Sequence, residues 1–268
     1  MKLRDKLRVV PGKPVHLADW DPGDTLGFKK GEASQAALEK SLARLDELQY
    51  LMFAEHRRAL LVVLQGMDGS GKDGTIRHVM AGLNPQGCRV TAFKTPTADE
   101  ADHDFLWRVH REVPRRGEIG IFNRSHYEEV LIARVHKLVA REVWSRRYDR
   151  INQFEELLCE SGVLVVKFFL HISKEEQKER FEERLRDPTK QWKLSEADFS
   201  ERKLWNQYVT AYEDALTRCS STTAPWYIVP ANKKWFRNLA VSELLVETLD
   251  ALGMRFPKPT FDVSQIKL

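Results

Sequence analysis

Residues 64–75 read LQGMDGSGKDGT, in which Gly66, Gly71 and Lys72 keep the G-x-x-x-x-G-K spacing of a phosphate-binding loop. In such a loop, successive backbone N–H groups converge on an anion, and the dipole of the following helix supports them. The lysine adds a point charge on the phosphates. Gly69, Ser70, Gly71, Lys72, Asp73 and Gly74 are therefore the candidate phosphate ligands. The residue after the lysine is ordinarily Ser or Thr, whose hydroxyl reaches Mg²⁺, but here it is Asp73. A second acid, Asp68, lies inside the loop. A carboxylate beside phosphate needs a cation between them. Asp68 is thus either a Mg²⁺ ligand standing in for the hydroxyl or a turn residue satisfying backbone N–H groups. Thr75 is a weaker replacement for the hydroxyl.

A second cluster follows the apolar run EIGIF (118–122), which leads into NRSHYEEV (123–130). In open α/β sheets ligands bind beyond the carboxyl ends of the strands, so Asn123, Arg124 and Ser125 should face the loop. Arg124 can bridge phosphates bidentately. A phosphate-loop protein usually carries Asp near this point; Asn123 can neither hold metal with charge nor act as a base. Glu128 and Glu129 are the remaining local acids, either as metal ligands or as helix N-terminal residues favoured by the dipole. Upstream, Thr95 and Thr97 of KTPT (94–97), with Arg108 on the next helix, can line an acceptor pocket. The aromatics of DFLWR (104–108) suit a core better than a stacking platform. His103, His126 and His171 have no metal-ligand spacing.

A third cluster is SKEEQKERFEERLRDPTKQWK (173–193). Its acids support a solvated helix with i,i+4 pairs. Yet Arg180 and Arg184 lie one turn apart, and Lys190 and Lys193 follow a break at Asp187-Pro188. A basic hairpin here can act as a mobile lid that excludes water and brings positive charge to a transferring phosphoryl group.

The elements that must position these residues alternate along the chain. Leu38, Leu42, Leu45, Leu48 and Leu51 recur at helical spacing and predict a long helix over 34–57. Short apolar runs at 59–65, 88–93, 118–122, 163–172 and 225–230 read as buried strands. Between them the pattern predicts helices at 72–83, 98–112, 125–136, 140–160, 174–218 (broken at Asp187-Pro188) and 233–252. That alternation predicts a three-layer α/β/α fold with a five-stranded parallel sheet in one domain, 1–268. Residues 1–33 and the tail after Gly253 read as surface wrapping, and 173–205 as the lid region.

Composition sets the outer limits. The chain has 268 residues and 42% hydrophobic residues, and its 43 Lys and Arg nearly balance 39 acids for a net charge of +4. Any attraction for polyanions must therefore come from local clustering. Cys88, Cys159 and Cys219 are scattered and odd in number, which argues against a disulfide framework or structural zinc and fits a reducing cytoplasm. The start, MKLRDKLRVVPGKP, lacks the apolar stretch of a secretory signal. The most apolar run, VLVVKFFLHI, contains Lys167 and is too short to span a bilayer, so no membrane association is expected.

The strings GMDGSGKDG, FLWRVHREVPRRGEIGIFNRSHYEEV, KFFLHISKEEQKERFEERLRDPTKQWK and PWYIVPANKKWFRN, in this order and spacing, closely resemble the family 2 polyphosphate kinases. The likeness runs from ADWDPGDT to the last helix. It implies a thymidylate-kinase-type fold with a lid, and Mg²⁺-dependent transfer of the terminal phosphoryl group of inorganic polyphosphate to a nucleotide. By the same resemblance, Lys72 is the loop lysine, Asp68 the essential loop carboxylate, and Arg124 the arginine after the third strand. Arg180, Arg184, Lys190 and Lys193 fall in the lid. Asp68 and Glu128 are then the expected metal ligands, and Thr95, Thr97, Arg108, Asn123, Arg124 and Glu128 the nucleotide contacts. Many members carry Asp where this chain has Asn123. The form NRSHYE, with Glu128, resembles the subgroup that accepts both AMP and ADP. Transfer between phosphoanhydrides is nearly balanced in energy, so the reaction is expected to be reversible. The expected assembly is a homo-oligomer, dimer or tetramer, with no nucleic-acid partner. The alternatives are an ATP-dependent nucleotide kinase on the same scaffold and a non-catalytic module binding RNA or another polyanion.

Overall fold

In the computed structural model, which describes residues 3–266, strand β1 (Ala59–Gln65) is buried at every position. Its side chains divide by parity. Leu61 and Val63 join one core with Phe122, Ile151, Phe154 and Leu216, whereas Leu60, Val62 and Leu64 join another with Leu48, Val79, Phe236 and Leu244. A strand buried on both faces must be central, which explains its continuous apolar run.

The remaining elements follow in chain order. α1 (Leu3–Leu7) and α2 (Glu32–Glu55) precede β1, and α3 (Lys72–Val79), β2 (Cys88–Ala92), α4 (Ala98–Ala101) and α5 (Trp107–His110) follow it. Next come β3 (Ile119–Asn123), α6 (Ile132–Val135), α7 (Arg141–Glu160) and β4 (Val163–His171). α8 (Lys174–Arg186), α9 (Glu196–Lys203), α10 (Trp205–Arg218), β5 (Trp226–Pro230) and α11 (Lys234–Asp250) close the order.

The sheet has five parallel strands in the order β2-β3-β1-β4-β5. α3 leaves β1 toward the face that also holds α2 and α11, while α7, reached from β3, packs on the opposite face. Adjacent strands β1 and β3 thus send the chain to opposite sides, and a crevice opens at their carboxyl ends. The register pairs Leu64 with Asn123, which sets the end of β3 beside the loop that follows β1.

Three departures from the sequence reading have local causes. The helix expected over 98–112 is split into α4 and α5, because the Asp104 side chain accepts the Leu106 N–H at 2.9 Å and starts a new turn. The helix expected over 125–136 becomes a 3-10 turn, His126–Glu129, capped by Ser125, and then α6. The N-terminal segment does more than wrap. Leu3, Leu7, Val9, Val15 and Leu17 are buried, and the Val9 N–H donates to the Trp226 carbonyl at 2.9 Å. Residues 1 and 2 of that segment and the last two of the tail lie outside the described residues. The expected lid region forms a helix-turn-helix of α8, a short turn at Gln191–Lys193 and α9.

Candidate active site

The phosphate loop joins β1 to α3 as the spacing requires. Gly71, at the start of α3, has φ +102°, and a Cβ there would lie 1.8 Å from Nη1 of Arg237. Only glycine fits, both by conformation and by space. Lys72 is buried, and its Nζ donates to the carbonyls of Gly66 at 2.7 Å and Met67 at 3.4 Å. Burial, reinforced by the charge of Arg124, lowers its pKa, against the pull of Asp68 and Glu128. Ser70 is fully buried, with its N–H on the Met67 carbonyl at 3.0 Å, so its backbone donor is turned away from the loop mouth. The Thr75 hydroxyl bonds back to the Gly71 carbonyl at 3.1 Å within α3.

Both departures from the common loop pattern meet in space. The Nδ2 of Asn123 donates to Oδ1 of Asp73 at 2.6 Å. A carboxylate has taken the place of the helix hydroxyl, and an amide donor that of the strand carboxylate. Beside them, Arg124 adopts φ +62°, a left-handed backbone that an arginine rarely takes. This kink sends its guanidinium across the loop, where Nη2 reaches Oδ1 of Asp68 at 2.7 Å and Nη1 lies 3.8 Å from Glu128. Burial opposes the Arg124 charge, but Glu128 and Asp68 outweigh it and raise its pKa. For Glu128 burial wins: its pKa rises although Arg124 and Lys72 pull it down.

Of the cavities that Arg124 lines, two are large, and these also share Phe93, Lys94 and Thr95. The larger, of about 770 Å³, runs between the loop and the lid and is lined by Lys72, Arg124, Arg184, Lys190, Lys193 and Arg237, with Gly69, Gly71, Asp73, Gly74 and Asn123. The smaller, of about 390 Å³, is lined by Phe93, Thr95, Phe105, Arg108, Glu128 and Arg147. Arg108 is buried beneath it, donating to the Lys94 carbonyl at 2.8 Å, with its guanidinium 5.5 Å from the Phe93 ring centre. Thr97 lies outside both linings. It caps α4, accepting the Glu100 N–H at 3.2 Å while its own N–H donates to the Glu100 carboxylate at 2.9 Å.

The lid cations divide into two kinds. Arg184, Lys190 and Lys193 sit on the cavity wall, Lys190 paired with Asp187 at 2.6 Å. Arg180 lines the same cavity but is buried, with its five N–H donors directed at protein acceptors. Nε meets Glu176 at 2.7 Å, Nη1 the carbonyls of Gly69 and Ser70 at 2.8 and 3.1 Å, and Nη2 those of Ala231 and Asn232 at 2.6 and 2.9 Å. It clamps the loop from behind.

A model of the polyphosphate kinase 2 family matches residues 29–257. The chain belongs to the polyphosphate kinase 2 family. It is 51% identical to the AMP/ADP-polyphosphate phosphotransferase of Meiothermus ruber, over 95% of this chain and 96% of that protein. It is 44% identical to the ADP-polyphosphate phosphotransferase of Rhodopseudomonas palustris, over 97% and 94%. The crystal structure of polyphosphate kinase 2 from Arthrobacter aurescens TC1 superposes with a TM-score of 0.94 at 45% identity, covering 98% of this chain and 94% of that one.

Within this family frame, the residues fit a divalent cation of a particular kind. No group of three His, Cys, Asp or Glu is gathered among the described residues, so a cage built from protein alone is not formed there. Mg²⁺ needs only one or two carboxylates when phosphate oxygens complete its shell. Asp68 and Asp73 face the larger cavity, with Glu128 behind Arg124. The sequence reading assigned Phe105, with the other aromatics of 104–108, to the core, and passed over Arg147 and Arg237; Phe105 lines the smaller cavity. Arg147 holds Glu129 and lies 4.9 Å from the Phe105 ring centre, while Arg237 lies against Gly71 from α11. Only contacts remote in sequence reveal them. Among the described residues no helix is long and apolar enough to cross a membrane.

Proposed function

We propose that this chain transfers a phosphoryl group from inorganic polyphosphate to a nucleoside mono- or diphosphate, AMP or ADP, in a reaction that runs both ways. The observation that carries this reading is Arg124, which forms a wall of both cavities. One cavity is cationic and open along the lid, suited to a phosphate chain. The other has aromatic and arginine walls, suited to a nucleotide. The names of the relatives support the same substrates.

In the proposed reaction, a terminal phosphate oxygen of the acceptor attacks the end phosphorus of the donor chain. The new P–O bond forms as the bridging P–O bond breaks, and the shortened chain leaves with the electron pair. The attacking oxygen is already ionised at neutral pH, so a strong general base is unnecessary. The protein's part is positioning and charge. Lys72 leaves its loop carbonyls for the phosphates, Arg124 spans donor and acceptor, and Arg184, Lys190 and Lys193 close over the chain. Mg²⁺, held by Asp68 and Glu128, would neutralise charge on the transferring group.

The test is nucleotide analysis after mixing the protein with Mg²⁺, polyphosphate and either ADP or AMP, with no ATP present. ATP from ADP, and ADP from AMP, are expected. No product from either acceptor overturns the reading, and activity appearing only with added ATP favours an ATP-dependent kinase.

A further inference from the structure

The larger cavity does not end at the loop. Trp235, in the first turn of α11, lines it and also lines a groove of about 540 Å³ on the neighbouring surface. That groove is walled by Lys29, Lys30 and Lys233, with Thr25 and Phe28. None of the three lysines has an ion pair among the described residues, and no acid lines the groove. Three unpaired ammonium groups around one concavity repel each other until a polyanion enters.

The junction between the two spaces carries a second sign of the same kind. Arg237 is 3% exposed, and among the described residues its guanidinium has no carboxylate partner; it bonds Oδ1 of Asn238 at 2.9 and 3.2 Å and the Ser70 carbonyl at 3.3 Å. Its charged neighbour is another cation, Arg180, and this, after burial, pushes its pKa down to about 10. A buried cation without a counter-ion is costly unless a ligand supplies one. Lys234, beside Trp235, also lines the larger cavity.

We infer that the donor chain continues past the loop, over Arg237 and Trp235, into an outlying subsite formed by Lys29, Lys30 and Lys233, which recognises phosphate units remote from the one transferred. The inference rests on the polyphosphate-dependent reading above. It makes long inorganic polyphosphate, rather than a chain of three units, the preferred donor. The groove offers charge and an apolar floor from Phe28 and Trp235 but no row of stacking rings of the sort single-stranded nucleic acid uses.

The test is a charge-reversal variant, Lys29→Glu with Lys30→Glu and Lys233→Glu, all at exposed positions, compared with the unaltered protein. Two readouts are taken: equilibrium binding of long polyphosphate and of tripolyphosphate, and initial transfer rates to ADP. For the long chain, affinity should fall on the order of tenfold and KM rise to match, as expected for lost contacts to a polyanion. Tripolyphosphate binding and the KM for ADP should change less than about twofold. Equal losses for both chain lengths, or no loss for either, overturn the subsite. So does an RNA oligomer whose binding falls in the variant while that of long polyphosphate does not. If the unaltered protein makes no ATP from any polyphosphate, the functional reading fails, while the binding arm still decides the groove.

Discussion

Asn123 donates a hydrogen bond to Asp73 at 2.6 Å, so the two residues that depart from the common phosphate-loop pattern complete each other. Asn123→Asp removes the donor and sets two carboxylates in contact, which only a cation between them can relieve. Without divalent cations this variant should melt about 2–4 °C below the unaltered protein, corresponding to ~1 kcal/mol of repulsion at a partly exposed site. Added Mg²⁺ should restore the loss, and should raise the melting temperature of the variant more than that of the parent. Thermal melts with and without Mg²⁺ check this; equal Mg²⁺ responses would contradict it.

Arg180 and Arg184 lie one turn apart on α8, yet they should respond differently to substitution. Arg180 satisfies loop and β5-end carbonyls from a buried position, so Arg180→Ala strands those acceptors together with Glu176. A loss of about 3 kcal/mol in folding stability is expected, because several buried carbonyls lose their donor, while the partly exposed Glu176 can turn to water. Arg184→Ala should leave stability within ~0.5 kcal/mol and instead raise the KM for polyphosphate. Urea unfolding and steady-state kinetics on both variants separate the two roles.

The contrast shows what the sequence could and could not disclose. The strand runs and the loop were legible because burial on both faces forces a continuous apolar stretch and because glycine spacing at a phosphate site is local. The rule that ligands bind beyond strand carboxyl ends placed Asn123 and Arg124 near the loop, but the β1–β3 pairing that sets Asn123 beside Leu64 is not written in the strand alternation. Helical spacing put Arg180 and Arg184 in the same lid, but a helix face has no sign in sequence that separates a guanidinium turned toward carbonyls from one turned toward solvent. Thr97 did carry a local sign that sets it apart from Thr95, since Thr97-Ala98-Asp99-Glu100 has the T-x-x-E spacing of the capping box that forms. Arg237 lies over 160 residues from the loop it touches, and no local pattern links them.

The smaller cavity makes a prediction about the acceptor. Phe105 lies on its wall, with the Arg147 guanidinium 4.9 Å from its ring centre and Glu129 holding Arg147 in place. A nucleobase resting against this ring would gain stacking on the order of 1–3 kcal/mol. Phe105→Ala should therefore raise the KM for ADP or AMP about tenfold while the KM for polyphosphate stays within ~twofold. A matching rise in both constants would show that Phe105 supports the lid or the loop instead.

Beneath the site lies a fully buried ion pair, Lys167 of β4 with Glu155 of α7. Lys167 also donates to the Tyr127 hydroxyl at 3.0 Å and the Cys219 carbonyl at 2.6 Å, and Glu155 accepts from Tyr127 at 2.8 Å and contacts His126 at 3.1 Å. His126 and Tyr127 belong to the turn that follows Arg124 and carries Glu128, so the pair anchors this turn to the sheet. Burial acts against the Glu155 charge, but Lys167 and His126 outweigh it and hold its pKa below the ordinary 4.5. A carboxylate with a depressed folded pKa contributes stability that is complete above its unfolded value and is lost as pH falls through the folded one. The unaltered protein should therefore keep this contribution down to about pH 4.5 and lose it below. Lys167→Met leaves Glu155 buried without its cation, which should cost about 3–5 kcal/mol at pH 7. The lone carboxyl then takes up a proton at higher pH, so the gap between variant and parent should narrow between pH 7 and 5. Urea midpoints measured across that range, beside the transfer rate at pH 7, decide the matter; a gap that stays constant with pH would mean that Glu155 carries no charge in the native protein.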